Sequence, residues 1–209
     1  MKKILGVNPD LIFDEKVVIV GSSVSLAGSE FGEEIDQFDE VVRFNRAPTM
    51  GFESDIGSKT TLRVVNNHVF NNNDVQNEGY TGQPSNFVRD LRNSKILYVA
   101  PDIVPWLHRS ENTHFSNEVF LFDYRVIKGF KKELNIDFPK QLTVGGVFVG
   151  LCVLAGVRPS LIGFDFVSGP RTHYWESRPP FPSEVHDITA EQKWFLRLKS
   201  EDKIKIIKQ

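Results

Sequence analysis

Apolar residues in this chain fall in short unbroken runs rather than in strict alternation. KVVIV occupies 16–20, EVVRF 40–44, KILYVA 95–100, VFLFD 119–123, SLIGF 160–164 and IKII 204–207. Such β-branched and aromatic runs, bounded by turn residues, predict strands covered on both faces. Between several of them lie segments of helical length and spacing: 29–37 (SEFGEEIDQ), 86–93 (NFVRDLRN), 126–134 (VIKGFKKEL), 143–156 and 189–200. Strands alternating with helices in this way predict an α/β sandwich with a mainly parallel sheet. The asparagine-rich stretch 66–83 has neither period and reads as a long surface loop, a lid or an insertion.

Composition narrows the picture without naming a chemistry. With 209 residues, 40% of them hydrophobic, the chain has enough apolar material for one large core, and no shift in composition divides it, so residues 1–209 are expected to form one domain. A net charge of −2 supplies no basic field for nucleic acid. The lone Cys152, in VGLCVLAG, has no intramolecular partner and reads as a buried thiol, pointing to a reducing compartment or to indifference to an oxidising one. Asn8, Pro9 and Asp10 interrupt the N-terminal MKKILGVNPDLIF, and the longest apolar stretch, Val144 to Val157, holds four glycines and is too short for a bilayer. The expectation is therefore a cytoplasmic protein with no transmembrane segment.

Candidate chemistry starts after the first strand. GSSVSLAGSEFG is a Gly/Ser turn leading toward a helix expected near Ser29, a place where backbone N–H groups suit an anion. Gly21, Gly28 and Gly32 lack dinucleotide-fingerprint spacing, no Gly-Lys-Ser/Thr of a P-loop follows, and Ser25 stands where a hydrolase elbow needs its second glycine. The next strand opens into NRAPTMGFESDIGSKTT, rich in turn formers and polar donors. The whole span Val17 to Thr61, VVIVGSSVSLAGSEFGEEIDQFDEVVRFNRAPTMGFESDIGSKTT, resembles the large sialylmotif of the animal and viral sialyltransferases, glycosyltransferase family 29. Three further pieces resemble that family's motifs in the same order. TVGGVFVGLCVLAGVRPSLIGFDF at 143–166 is similar to the small motif, HYWE at 173–176 to the third, and HDITAE at 186–191 to the very small one.

The resemblance implies a Rossmann-like fold, the GT-A-like variant of these enzymes, and inverting, metal-independent transfer of sialic acid from CMP-sialic acid to a sugar hydroxyl. His186 matches the general base, a role that suits an imidazole of unperturbed pKa ~6.5. His173 matches the histidine that donates to the leaving phosphate, with Tyr174 as a further donor and Trp175 closing over the core. Asn45 corresponds to a nucleotide contact, and Ser22, Ser23, Thr143, Gly145, Gly163 and Phe164 to the donor-binding loops; Glu191 supports the site. Each has a plainer role open to it: Asp187 or Thr189 capping a helix with Glu191 in its first turn, HYWE an aromatic cluster, Asn45 a turn residue, the glycines a helix start and a strand end. Lys59, Thr60 and Thr61 read as scaffold.

The match departs from the family at Ser22, where the family has asparagine, and at the positions of its disulfide, which fall here on Val17 or Val18 and on Gly156. These departures fit a compact bacterial or viral member. Two other functions stay open at this point: transfer from CMP-Kdo or a related keto-sugar acid, and a non-catalytic nucleotide- or glycan-binding module. The partners implied are a CMP-sugar donor and a glycan acceptor, with no cofactor.

Overall fold

The structure, a computed structural model, describes residues 2–4, 7–8, 11–13, 16–66, 94–99, 119–122, 131–137, 139–164, 173–175 and 186–207. Its centre is an eight-stranded sheet. In chain order the strands are β1 (Lys2–Ile4), β2 (Val7–Asn8), β3 (Leu11–Phe13), β4 (Val17–Val20), β5 (Glu40–Phe44), β6 (Leu62–Val65), β7 (Lys95–Val99), β8 (Val119–Phe122), β9 (Ser160–Ile162) and β10 (Lys205–Ile206). The sheet order is β10-β9-β4-β5-β6-β7-β8-β2, while β1 and β3 form a separate antiparallel pair. Every neighbouring pair is parallel except β2–β8.

The unbroken apolar runs have a direct physical cause. In β4, Val17 and Ile19 join one buried cluster while Val18 and Val20 join the other, so consecutive side chains enter two different cores. The first core lies under α3 (Val144–Leu154) and α4 (Ile188–Ser200), and takes in Phe148, Leu151, Phe195 and Leu198. The second lies under a 3-10 turn (Val24–Leu26), α1 (Gly32–Asp36) and α2 (Glu53–Ile56), through Leu26, Ile35 and Ile56. Helices therefore cover both faces, as the strand and helix pattern predicts. Eight of the eleven residues of α3 are buried, so this helix is apolar nearly all round instead of amphipathic.

Five described elements, α1, β6 and β1–β3, differ from the sequence expectation. The helix expected over 29–37 spans only Gly32–Asp36, because Gly28 (φ 78°) and Glu30 (φ 58°) take left-handed backbone conformations that no helix continues. The side chain of Asp55 holds that turn by accepting the N–H groups of Gly28 at 2.8 Å and Glu30 at 3.1 Å. β6, with only four residues and Arg63 among them, was not expected, and β1–β3 escape the pattern because Asn8, Pro9 and Asp10 break their run. The expected helix over 126–134 is seen at 131–133, while the expected helix at 86–93, most of the loop at 66–83 and the prolines of the HYWE–HDITAE connection lie outside the described residues.

Sheet order positions the site. From β4 the chain runs outward through β5, β6, β7 and β8, then returns to the other side of β4 for β9 and β10. β4 and β9 are thus the neighbouring strands at which the order reverses, and the carboxyl ends of such a pair are where open α/β sheets bind ligands.

Candidate active site

At that crossover the two loops run side by side. The Gly21 N–H donates to the Ile162 carbonyl at 2.8 Å, and the Ser23 N–H to the Gly163 carbonyl at 3.2 Å. Gly163 has φ 71°, and a Cβ there would lie 2.5 Å from Leu26 Cδ1, so this position admits glycine alone without strain. Ser23 also caps the 3-10 turn, accepting from the Ser25 N–H at 3.4 Å. Phe164 packs edge-on against Phe44 and tilted against Phe195, and α3 passes so close that a Cβ on Gly145 would stand 2.9 Å from its ring.

Asn45 follows β5 with φ 45°, a conformation asparagine tolerates better than most residues. Its N–H donates to the Val64 carbonyl, and its carbonyl accepts from Arg63 Nη1 at 3.0 Å. Its side-chain Oδ1 accepts the Asn66 N–H at 3.1 Å, so the loops after β5 and β6 are tied at this residue. Arg63 is buried beside Arg43, its register partner on β5. Arg43 donates from Nη2 to the Ile56 carbonyl at 2.6 Å and the Lys59 carbonyl at 3.1 Å, and from Nε to Thr60 Oγ1 at 3.1 Å. Asp36 accepts the N–H groups of Ser58 and Lys59 at 2.9 Å each. The Lys59–Thr61 stretch is thus scaffold, as its sequence suggests, and the side chain that organises it is Arg43. A cationic residue inside an apolar strand was the available signal, since a buried charge requires partners.

The HYWE segment is docked on this edge by its tyrosine. The Tyr174 N–H donates to the Ser22 carbonyl at 3.0 Å, and its buried hydroxyl donates to the Pro48 carbonyl. Tyr174 therefore anchors the loop across the ends of β4 and β5, and its hydroxyl already has an acceptor within the protein. His173 and Trp175, on either side, stack on each other with centroids 4.5 Å apart.

His186 sits at the entrance to α4, in a parallel bridge with Gln141. Its Nδ1 lies 3.0 Å from the Gln141 carbonyl oxygen. A carbonyl only accepts, so Nδ1 carries a proton, and in the neutral ring Nε2 carries the lone pair. Asp187 caps α4, its Oδ1 accepting the Ala190 N–H at 2.9 Å, the plainer role open to it from sequence.

Glu191, in the first turn of α4, is 1% exposed. Its carboxylate accepts the Thr143 N–H at 2.8 Å and the Thr143 hydroxyl at 2.5 Å, while Thr143 Oγ1 accepts the Gly146 N–H at 2.9 Å and so caps α3. The start of α3 thereby gains a negative charge from another helix, favourable at a helix N-terminus. Burial raises the pKa of Glu191, while the two Thr143 bonds and, when its ring is protonated, His186 act in the opposite direction. Gly146, which sequence reasoning passed over, is required here: a Cβ would lie 2.6 Å from Glu191 Oε2. Two contacts, His186–Gln141 and Glu191–Thr143, therefore clamp the entrance of α4 to that of α3. Every site residue expected from sequence that the structure places lies at the carboxyl edge of the sheet or at these two helix entrances.

Comparison with known proteins identifies the family. The sequence model described as glycosyltransferase family 29 (sialyltransferase) matches residues 15–203. Human beta-galactoside alpha-2,6-sialyltransferase 1 is 36% identical over 109 residues, 49% of this chain and 24% of that protein. The bovine beta-galactoside alpha-2,6-sialyltransferase 2 is 48% identical over 54 residues, 26% of this chain and 11% of that protein. This chain thus aligns with only a minor share of the curated relatives' length. A crystal structure of a mammalian sialyltransferase in complex with Gal-beta-1-3GalNAc-ortho-nitrophenol superposes with a TM-score of 0.64 at 26% identity, covering 92% of this chain and 68% of that one. With a family match over most of its length and a fold shared with a solved mammalian sialyltransferase, this chain belongs to glycosyltransferase family 29, the sialyltransferases.

Proposed function

We propose that this chain transfers sialic acid from CMP-sialic acid to a hydroxyl of a glycan acceptor, with inversion at the anomeric carbon. The observation that carries the reading is His186: its Nδ1–H is held by the Gln141 carbonyl, so Nε2 is the atom that takes the acceptor's proton. A base held in one tautomer at the entrance to α4 suits removal of the proton from an attacking sugar hydroxyl. His173, beside the loop after β4, donates to the phosphate of the departing CMP, an interaction that strengthens as charge develops. Ser22, Ser23, Asn45, Gly145, Gly163 and Phe164 shape the donor-binding loops. Thr143 and Glu191 hold those loops in register with His186.

A donor panel tests the reading. CMP-sialic acid, CMP-Kdo, CMP and UDP-sugars are compared for thermal stabilisation and donor hydrolysis, and transfer is assayed first on β-galactoside acceptors, the class in the relatives' names. Stabilisation by CMP and turnover of CMP-sialic acid are expected. His186→Ala keeps CMP binding and loses transfer by roughly a hundredfold or more. Preference for CMP-Kdo would move the assignment to that donor, and stabilisation by a UDP-sugar without CMP would sink it.

A further inference from the structure

His173 and Trp175 stand two residues apart in a turn, with ring centroids 4.5 Å apart and only 8° between their planes. Tyr174 makes that stack possible by pointing into the protein. Its ring meets Phe52 edge-on at 5.0 Å and Trp175 at 4.6 Å, and both its N–H and its hydroxyl are bonded to main-chain carbonyls. Trp175 packs against the core cluster beneath β4. Its indole Nε1 is shielded from solvent and has no acceptor among the described residues. The indole is therefore held by packing, and the surface it offers to His173 is its flat face.

We infer that Trp175 is a positioning residue whose indole face sets the plane of the His173 imidazole. A flat stack removes rotation of the ring out of that plane and keeps both ring nitrogens directed within it, with Nδ1 shielded from solvent. Aromatic stacking of this kind favours one orientation by roughly 2- to 10-fold. A hydrogen bond to a leaving phosphate needs that alignment, because donors weaken steeply as the angle departs from linear. This inference rests on the reading of His173 as the phosphate donor.

The experiment compares Trp175→Phe, which keeps a flat face, with Trp175→Leu, which keeps apolar bulk and loses the face, each also in a His173→Ala background. CMP-sialic acid is the donor, and kcat and KM are measured separately. Trp175→Leu is expected to lower kcat by more than about threefold and up to roughly 10-fold, with KM for the donor held within about threefold. Trp175→Phe keeps kcat within about threefold, and Trp175→Leu adds less than about twofold once His173 is alanine. An equal loss in the His173→Ala background would show that Trp175 acts on folding alone and overturn the inference. A second measurement needs no turnover: NMR of the unliganded wild type, with His173→Ala for assignment, should show the His173 ring protons shifted upfield by the indole ring current. No such shift would overturn the inference even in an active enzyme, and a shift in a protein that ignores CMP would support the stack while the proposed function fails.

Discussion

Glu191→Ala removes the carboxylate that joins α4 to the entrance of α3. Two part-buried donors, the Thr143 N–H and hydroxyl, then lose the acceptor they reach at 2.8 and 2.5 Å. Hydrogen bonds to a charged partner contribute about 1.5–3 kcal/mol each, so the pair sets a range of about 3–6 kcal/mol. Burial of the charge opposes this, as the raised pKa of Glu191 records, and its removal recovers part of the loss. A net destabilisation of about 2–4 kcal/mol is expected, which at 2–4 °C per kcal/mol lowers Tm by about 4–16 °C. Urea and thermal unfolding measure it, with Thr143→Val as the second arm of a double-mutant cycle. The coupling between the two changes should exceed ~1 kcal/mol, because both remove the same bond. Additive effects, or an unchanged midpoint in Glu191→Ala, would refute the clamp.

Gly146→Ala should destabilise by about 1–3 kcal/mol, since its Cβ meets a carboxylate tip pinned by two bonds. That loss should shrink in the Glu191→Ala background, where the obstacle is gone, and a loss of equal size there would count against the contact. Because the pKa of Glu191 is raised in the folded state, the folded protein binds this proton more tightly, so the contribution falls as pH rises from the ordinary value of 4.5 through the raised one. Wild type should therefore lead Glu191→Gln by more at pH 4 than at pH 7.5 in urea titrations, and the reverse trend would contradict the burial. Asp36 runs the other way: burial raises its pKa, but the Ser58 and Lys59 N–H groups, the Ser58 hydroxyl and Arg43 outweigh that and hold it low, so its contribution is lost as pH falls through the lowered value. Arg43→Lys should lower stability by about 2–4 kcal/mol, because an ammonium cannot reach the carbonyls of Ile56 and Lys59 and the Thr60 hydroxyl together. A urea midpoint within ~0.5 kcal/mol of wild type would show that the fork is dispensable.

Local pattern carried a good part of this protein. The runs VVIV, EVVRF, KILYV and VFLF become strands because a sheet covered on both faces needs apolar side chains at consecutive positions, and that demand is written in contiguous residues. The parallel sheet, the helices at Val144–Leu154 and Ile188–Ser200 and the motif positions of His173 and His186 follow from the same kind of signal. β6 was hidden because it has only four residues with Arg63 among them, and the short α1 because the left-handed turn at Gly28 and Glu30 is stabilised by Asp55 from a distant segment. What only tertiary structure decided are the pairings across long separations: Glu191 with Thr143, 48 residues apart, Tyr174 with Pro48, 126 apart, and His186 with Gln141, 45 apart. Sequence supplied the imidazoles, the carboxylate and the threonine. Which nitrogen of His186 carries a proton, and that Glu191 closes a helix entrance, depend on which backbone groups the sheet crossover brings within hydrogen-bond reach, and no contiguous stretch encodes that distance.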